Sequence, residues 1–170
     1  MAPHVPPTRL ATLEISRFVD RPGLAEGLVP ALLDHWRPWF PEDTWEARAR
    51  RLEQHMNRDA LPIGWVAHIG DQAIGTAALR SADLPGHEHL TPWLGGVFVR
   101  PEFRRRGVAS ALCAVVEDQA RALGFERLYL FTLDQQALYR GLRWSPLERI
   151  AWRGVNCELM VKAIGASGPR

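Results

Sequence analysis

The chain has 170 residues, 46% of them apolar and 24% charged, with a formal net charge of +2. That length suits one domain able to bury about two-thirds of its unfolded surface, with an ordinary globular composition. So small a charge excludes a nucleic-acid protein recognised by bulk basicity, and no run of about 18 apolar residues is present to span a membrane as a helix.

The cations are nearly all arginine, twenty against the single Lys162, so an isolated arginine carries little functional information. Residues 1–10 lack the apolar core of a signal peptide and read as a frayed leader, and a cytoplasmic protein is expected. Thr12 to Phe18 alternates loosely and reads as a first strand. Leu24, Leu28, Leu32 and Trp36 recur every four residues between Asp20 and Pro38, marking a helix that Pro30 and two glycines weaken or kink. After the turn Phe40-Pro41-Glu42-Asp43, a second helix carries Trp45, Ala49, Leu52 and Met56 on one face. The segments 63–69 and 72–80, joined by Gly70-Asp71, read as a β-hairpin, and polar 81–92 as a loop.

Residues 93–99 are continuously apolar, as in a strand buried on both faces. A helix from about Arg105 to Leu123 stops at Gly124, where a C-cap glycine belongs, and Val108, Ala111, Leu112, Val115 and Leu123 form its buried face. Residues 127–132 are another strand, Asp134 caps a short helix to about Leu142, and strands near 145–152 and 156–164 close the chain around Arg153-Gly154-Val155. The order β-α-α-β-β-β-α-β-α-β-β predicts an α+β fold with a mixed sheet and a parallel crossover over 93–132, in one domain spanning 1–170. Cys113 and Cys157 have no metal-ligand spacing and read as small buried hydrophobes, which fits a reducing compartment.

Residues 103–112, Phe-Arg-Arg-Arg-Gly-Val-Ala-Ser-Ala-Leu, put three arginines between a buried strand and a buried helix. Unsatisfied amides and the positive end of the macrodipole suit an anion at such a helix start, while small Gly107 and Ala109 let the backbone approach it. The bland alternative is a solvated basic turn. Positive side chains are electrostatically misplaced at a helix N-terminus unless an anion compensates them, and that favours a phosphate cradle. The chain holds no Gly-x-x-x-x-Gly-Lys-Ser/Thr loop and no Gly-x-Gly-x-x-Gly after a strand. A nucleic-acid surface would extend over a face and carry stacking aromatics, whereas this cluster is compact.

The stretch Val97-Phe98-Val99-Arg100-Pro101-Glu102-Phe103-Arg104-Arg105-Arg106-Gly107-Val108-Ala109 resembles the acetyl-CoA signature of the GNAT superfamily of N-acetyltransferases, an apolar strand, a proline, then Arg/Gln-x-x-Gly-x-Gly/Ala. Leu128-Tyr129-Leu130-Phe131-Thr132 followed by Ala137-Leu138-Tyr139-Arg140-Gly141-Leu142-Arg143-Trp144 is similar to the family's second block. The resemblance implies a three-layer fold, with a central mixed and splayed sheet of about six to seven strands flanked by about four helices. It also implies a direct transfer of acetyl from acetyl-CoA to a primary amine, with no metal. Val97, Phe98 and Val99 would pair with the pantetheine, and Arg104, Arg105, Arg106, Gly107, Val108 and Ala109 would hold the pyrophosphate. Tyr139 would be the general acid at the sulfur. Asp134 stands where the family often has an asparagine and joins the expected cofactor residues.

Departures from the pattern also matter. The 93–99 strand has no carboxylate base, so Glu88 and His89, with His87 beside them, are the nearest candidates. As a metal pair, His87 and His89 lack further ligands. Arg143 replaces a glycine common in the family. The acceptor pocket is expected from the first two helices, with Trp36 and Trp45 in the core and the turn residues Trp39 and Phe40 as walls. Glu42 and Asp43 would attract a cationic amine or favour the second helix's start. The acceptor is a small-molecule or peptide amine, with no nucleic-acid or membrane partner, and a homodimer through the late strands would suit the family. A non-catalytic acyl-CoA-binding module is the competing reading.

Overall fold

The computed structural model describes residues 12–165, and the leader expected over 1–10 lies outside them. Along the described chain run β1 (Leu13–Arg17), α1 (Pro22–Glu26), α2 (Val29–Trp36), α3 (Trp45–Gln54), β2 (Ile63–Ile69), β3 (Gln72–Arg80) and β4 (Trp93–Val99). A 3-10 turn at Pro101–Phe103 leads to α4 (Val108–Ala122), β5 (Arg127–Thr132), α5 (Gln136–Gly141), β6 (Ser145–Trp152) and β7 (Val155–Ala163). The strands form one mixed sheet in the order β1-β2-β3-β4-β5-β7-β6. The hairpin 63–80 has the expected bounds and turn.

The first predicted helix is two helices. Gly27 and Leu28 separate α1 from α2, and Pro30 falls in the first turn of α2, where its missing N–H removes no helical bond. In α3, Thr44 Oγ1 accepts the Ala47 N–H at 3.1 Å and starts the helix. Leu52 and Met56 pack onto the cluster of Phe18, Leu28, Leu32, Val66 and Phe98. Trp45, expected on that stripe, is 43% exposed, because the first residue of α3 lies about two turns before the helix meets this core.

The long helix starts at Val108, not Arg105. Gly107 sits at φ +80° as the N-cap, so the arginines precede the helix in a loop. Its buried face is Val108, Leu112, Cys113, Val116 and Ala120, while Leu123, the C-cap residue, is 37% exposed. Gly124 takes φ +91°, as a C-cap glycine should. Asp134 does not cap α5. The N-cap is Gln135, whose N–H donates to Thr132 Oγ1 at 3.0 Å.

Between Thr76↔Phe98 and Ala78↔Gly95, two steps along β3 face three along β4. This is a β-bulge, and Gly96 at φ +59° supplies the left-handed residue it needs. An unbulged strand would send residues 94, 96 and 98 to one face. Here Leu94, Val97 and Val99 join the α4 core, and Phe98 turns into the α1–α3 cluster. That is how one strand serves two layers.

Close packing between β2 and the α1–α3 layer gives a stability test. A Cβ built on Gly64 would fall within the van der Waals envelope of the Phe18 ring. Gly64→Ala should destabilise the fold by about 2 kcal/mol, read as a lowered urea midpoint at unchanged slope. An unchanged midpoint would show that the ring can move aside freely.

Candidate active site

The mixed sheet opens where it changes direction. β4 and β5 run parallel but pair at one rung only, Trp93↔Tyr129, supported by the Tyr129 N–H donating to Pro92 O at 3.1 Å. On its other edge β4 stays bonded to β3 out to Gly75↔Val99. The strands therefore diverge toward their C-terminal ends, and the edge of Val97, Phe98 and Val99 that faces β5 carries no ladder. A backbone edge in that state presents amides and carbonyls to an extended polar ligand.

At the wide end of this gap lies the arginine loop. Arg104 Nε donates to Val99 O at 2.9 Å, and Arg100 Nε donates to Ala73 O at 2.8 Å, so two guanidiniums clamp the loop to β4 and β3. Arg105 takes φ +60° and Gly107 φ +80°, and left-handed residues before a helix turn amides inward as an anion nest. Ala111 N–H makes the first intrahelical bond of α4, to Gly107 O, and no side chain caps the amides before it. A Cβ on Gly107 would meet nothing within 4 Å, so the space above the nest is open. Arg104, Arg105 and Arg106 are exposed around it, with Arg106 lying 5.6 Å over the Phe103 ring. Open amides, an uncapped 15-residue helix and free cations fit a pyrophosphate.

Tyr139 is buried on the α4 side, edge-on to Trp144 at 6.1 Å. Burial, reinforced by Cys113 and Asp134, holds its hydroxyl above the ordinary tyrosine range, so it stays protonated at neutral pH. Burial likewise pushes Cys113 up to about 12, which keeps this free thiol inert. Arg143 sits at φ +69°, so the turn after α5 keeps the left-handed conformation a glycine would favour.

Across the gap stands His35, which sequence reasoning missed. Its ring lies 5.1 Å from Phe98 of β4 and 4.9 Å from Trp36. Burial and then Arg104 pull it below the ordinary histidine range, against the opposing charges of Asp134 and Asp34. The group is thus neutral at pH 7 and packs on the Phe98 ring of β4. No motif marks it. The only signal was a histidine next to the helix's core tryptophan.

The expected bases stand elsewhere. Glu88 accepts the Gly86 N–H at 3.0 Å, which holds its carboxyl below the usual carboxylate pKa range, and it is exposed. His87 stacks on His89 at 5.9 Å and approaches Glu148 of β6 at 3.4 Å. The contacts of this trio run to its own turn and to β6. No group of three or more metal-binding side chains occurs among the described residues.

The turn aromatics Trp39 and Phe40 belong to one aromatic cluster. Phe40 packs on Trp152 at 5.8 Å, Trp152 on Phe131 of β5 at 5.5 Å, and Trp36 on Trp39 at 5.8 Å. Arg153, at the β6–β7 turn, donates to Trp39 O at 2.8 Å and lies 4.1 Å over Phe40. Beneath them His55 is fixed as a neutral ring. Its Nδ1–H donates to Arg51 O at 2.6 Å, and its Nε2 accepts from Arg80 Nε at 2.9 Å.

Comparison with known proteins agrees with this geometry. Residues 29–142 match the Acetyltransferase (GNAT) family. Over 139 residues, 74% of this chain and 93% of the relative, it is 29% identical to an aminoglycoside N(6')-acetyltransferase type 1 of Salmonella typhimurium. A crystal structure of an aminoglycoside 6'-N-acetyltransferase complexed with coenzyme A shares the fold with a TM-score of 0.66 at 19% identity, covering 92% of this chain and 98% of that one. An N-acetyltransferase of Staphylococcus aureus Mu50 does so at 0.69 and 14%, covering 90% and 99%.

The His55 network sets an acid limit on stability. Burial, then Arg80, takes its pKa from 6.5 down to about 4. The unfolded chain therefore binds the extra proton first, and this stability is complete above pH 6.5 and lost as pH falls through 4. The loss amounts to about 3 kcal/mol. His55→Asn should flatten that limb of a stability-versus-pH curve from chemical denaturation. An unaltered slope would mean that other groups carry it.

Proposed function

The chain belongs to the Acetyltransferase (GNAT) family, and from that premise we propose that it transfers the acetyl group of acetyl-CoA to the primary amine of a small molecule. The single observation that carries this reading is the one-rung β4–β5 splay beside an uncapped helix start. When bound, acetyl-CoA supplies the activated thioester. Val97, Phe98 and Val99 pair with its pantetheine amides, and the nest of 104–109 with its arginines holds the pyrophosphate. Asp134, exposed between β5 and α5, stands near both Tyr139 and His35 and borders the same ligand.

A backbone N–H at the end of β4 donates to the carbonyl oxygen as charge develops on it. We assign the base to His35 instead of Glu88 or His89. An alkyl ammonium costs roughly 4–5 kcal/mol to deprotonate at pH 7, and a neutral imidazole beside the gap takes that proton directly or through water. Tyr139 donates to the departing sulfur. Its raised pKa makes full transfer to a thiolate uphill by more than about 2 kcal/mol, so the hydrogen bond precedes the proton. Trp39 and Phe40 wall the acceptor side. The aminoglycoside named for the relatives is one candidate acceptor class.

Unpaired, buried Cys113 and Cys157 fit a reducing cytoplasm, and no described helix is long and apolar enough to cross a membrane. A second copy would pair along edge strand β6, whose Leu147 is 51% exposed.

Calorimetric titration with acetyl-CoA, followed by thiol release over an amine panel, tests the reading. Tight binding with release is expected. Binding without release on any amine would favour a non-catalytic acyl-CoA module, and no binding would overturn the site. Tyr139→Phe should lower kcat by about 100-fold with little change in acetyl-CoA affinity, and equal loss of both would remove its acid role. His35→Gln should lower kcat about 10- to 100-fold and abolish the acid limb of its pH profile, whose midpoint lies below an ordinary histidine's. A retained limb would assign the base elsewhere.

A further inference from the structure

On the α2–α3 side, directly beneath the β4 bulge, is a small cavity of about 50 Å³. Its wall includes Gly96 of the bulge, Trp36, and the side chains of Arg48, Arg51, His55 and Arg80. The Gly96 carbonyl is taken by Thr76 Oγ1 at 2.9 Å, so it offers little to a ligand. Phe18, Leu32, Leu52, Ala77 and Ala78 make the apolar part of the lining, and its charged side chains are all guanidiniums. Among the described residues, Arg48, Arg51 and Arg80 have only Asp43 and Asp83 as close counter-ions, and His55 is a neutral ring. A fourth guanidinium, Arg153, joins Arg48 and Arg51 around the Phe40 ring. The remaining carboxylate of that loop, Glu42, is exposed, and counting it still leaves an excess of positive charge.

Two features point to a ligand anion rather than to a closed salt-bridge cluster. Arg48 has a side chain only 12% exposed, yet its Nε is buried without an acceptor. Asp43 Oδ2 pairs with Arg48 and also sits 3.5 Å from Arg51, so one carboxylate oxygen serves two guanidiniums. Unused, desolvated N–H donors on a planar guanidinium fit a carboxylate in the bidentate manner. At about 50 Å³ the cavity has room for more than one water and so admits a carboxylate group.

We propose that the amine acceptor carries a carboxylate, which Arg48 and Arg51 hold in this cavity while the amine reaches the gap past Gly96. This rests on the acetyl-transfer reading above and narrows it to amino acids or peptides with a nearby carboxylate. Polycationic acceptors are disfavoured, because their ammonium groups would meet guanidiniums. The relatives' printed activities therefore do not carry over to this chain's acceptor.

The experiment compares the twenty amino acids with their decarboxylated amines and with kanamycin. Its first readout is kcat/KM from thiol release with acetyl-CoA. Its second is binding of unreactive N-acetyl amino acids and their amides to the CoA-loaded protein, by NMR titration. We expect at least one amino acid to exceed its decarboxylated partner tenfold or more in kcat/KM, with the N-acetyl acid binding more tightly than its amide. Arg51→Gln, at a half-exposed position where folding should survive, should shrink both ratios at least fivefold, and Arg48→Gln should do the same. Turnover of amines without any preference for the carboxylate, or best turnover of kanamycin, overturns the proposal and leaves acetyl transfer standing. Selective binding of the acids that is lost in Arg51→Gln, with no turnover of any amine, upholds the carboxylate site and sinks the transfer reading. Neither binding nor turnover sinks both.

Discussion

One departure from regular pairing governs the rest of this protein. β4 lies in the middle of a seven-stranded sheet, yet it touches its parallel neighbour at a single rung. A central strand that gives up one ladder leaves polar backbone groups unpaired, which a fold tolerates only where something else bonds them. The bulge at Gly95-Gly96 accompanies the divergence. Arg80 occupies the room those glycines leave, since a Cβ on Gly95 or Gly96 would stand 2.8 or 2.9 Å from its guanidinium nitrogens. The same guanidinium holds His55 neutral and pairs with Asp83 at 2.6 Å. The bulge glycines and the cavity wall thus share one side chain, Arg80.

The arginine-rich composition makes sense once the side chains are traced. Arg100, Arg104 and Arg121 each donate Nε to a backbone carbonyl, of Ala73, Val99 and Ile164. A guanidinium bonded this way at Nε keeps its outer N–H groups for a second partner, which an ammonium cannot do with the same geometry. Arg104 is therefore both a clamp on β4 and an exposed cation beside the helix start. Charge that would repel the N-terminus of α4 is held to one side of it by a carbonyl. The one lysine makes a different contact, pairing with partly buried Glu117 at 2.9 Å across α4 and β7.

Much of this was legible in the residues. The hairpin 63–80 followed from alternation around Gly-Asp, and the helix stop at Gly124 from the cap rule. The strand before the arginine run and the buried helix after it followed from the apolar runs on either side. What escaped had physical causes that a linear pattern does not carry. The periodicity of Leu24, Leu28, Leu32 and Trp36 persists across the break at Gly27-Leu28, because α1 and α2 bury the same face. Trp45 keeps helical phase with the core but lies beyond its edge. Gly95 and Gly96 could have signalled the bulge, since paired glycines inside a strand pattern mark irregular pairing. His35 carried only its place beside Trp36, and Asp43, expected to attract an amine or favour the helix start, pairs instead with Arg48, a partner that no linear pattern marks.

The proton inventory of the cleft ties these observations to the chemistry. His35 and His55 are both held neutral by burial and a nearby arginine, and Tyr139 is held protonated by burial. The ionised groups close to the acceptor cavity are chiefly guanidiniums. An incoming ammonium meets like charge there, and like charge favours its neutral form. Each unit by which the amine's pKa falls removes about 1.4 kcal/mol from the deprotonation that must precede attack. A carboxylate on the same acceptor reconciles binding with that requirement. Its attraction to Arg48 and Arg51 anchors the molecule, while the surrounding cations still oppose the charge on its amine. A cleft without a strand carboxylate can therefore activate an amine through the electrostatics of its walls, with His35 needed only to carry the proton away.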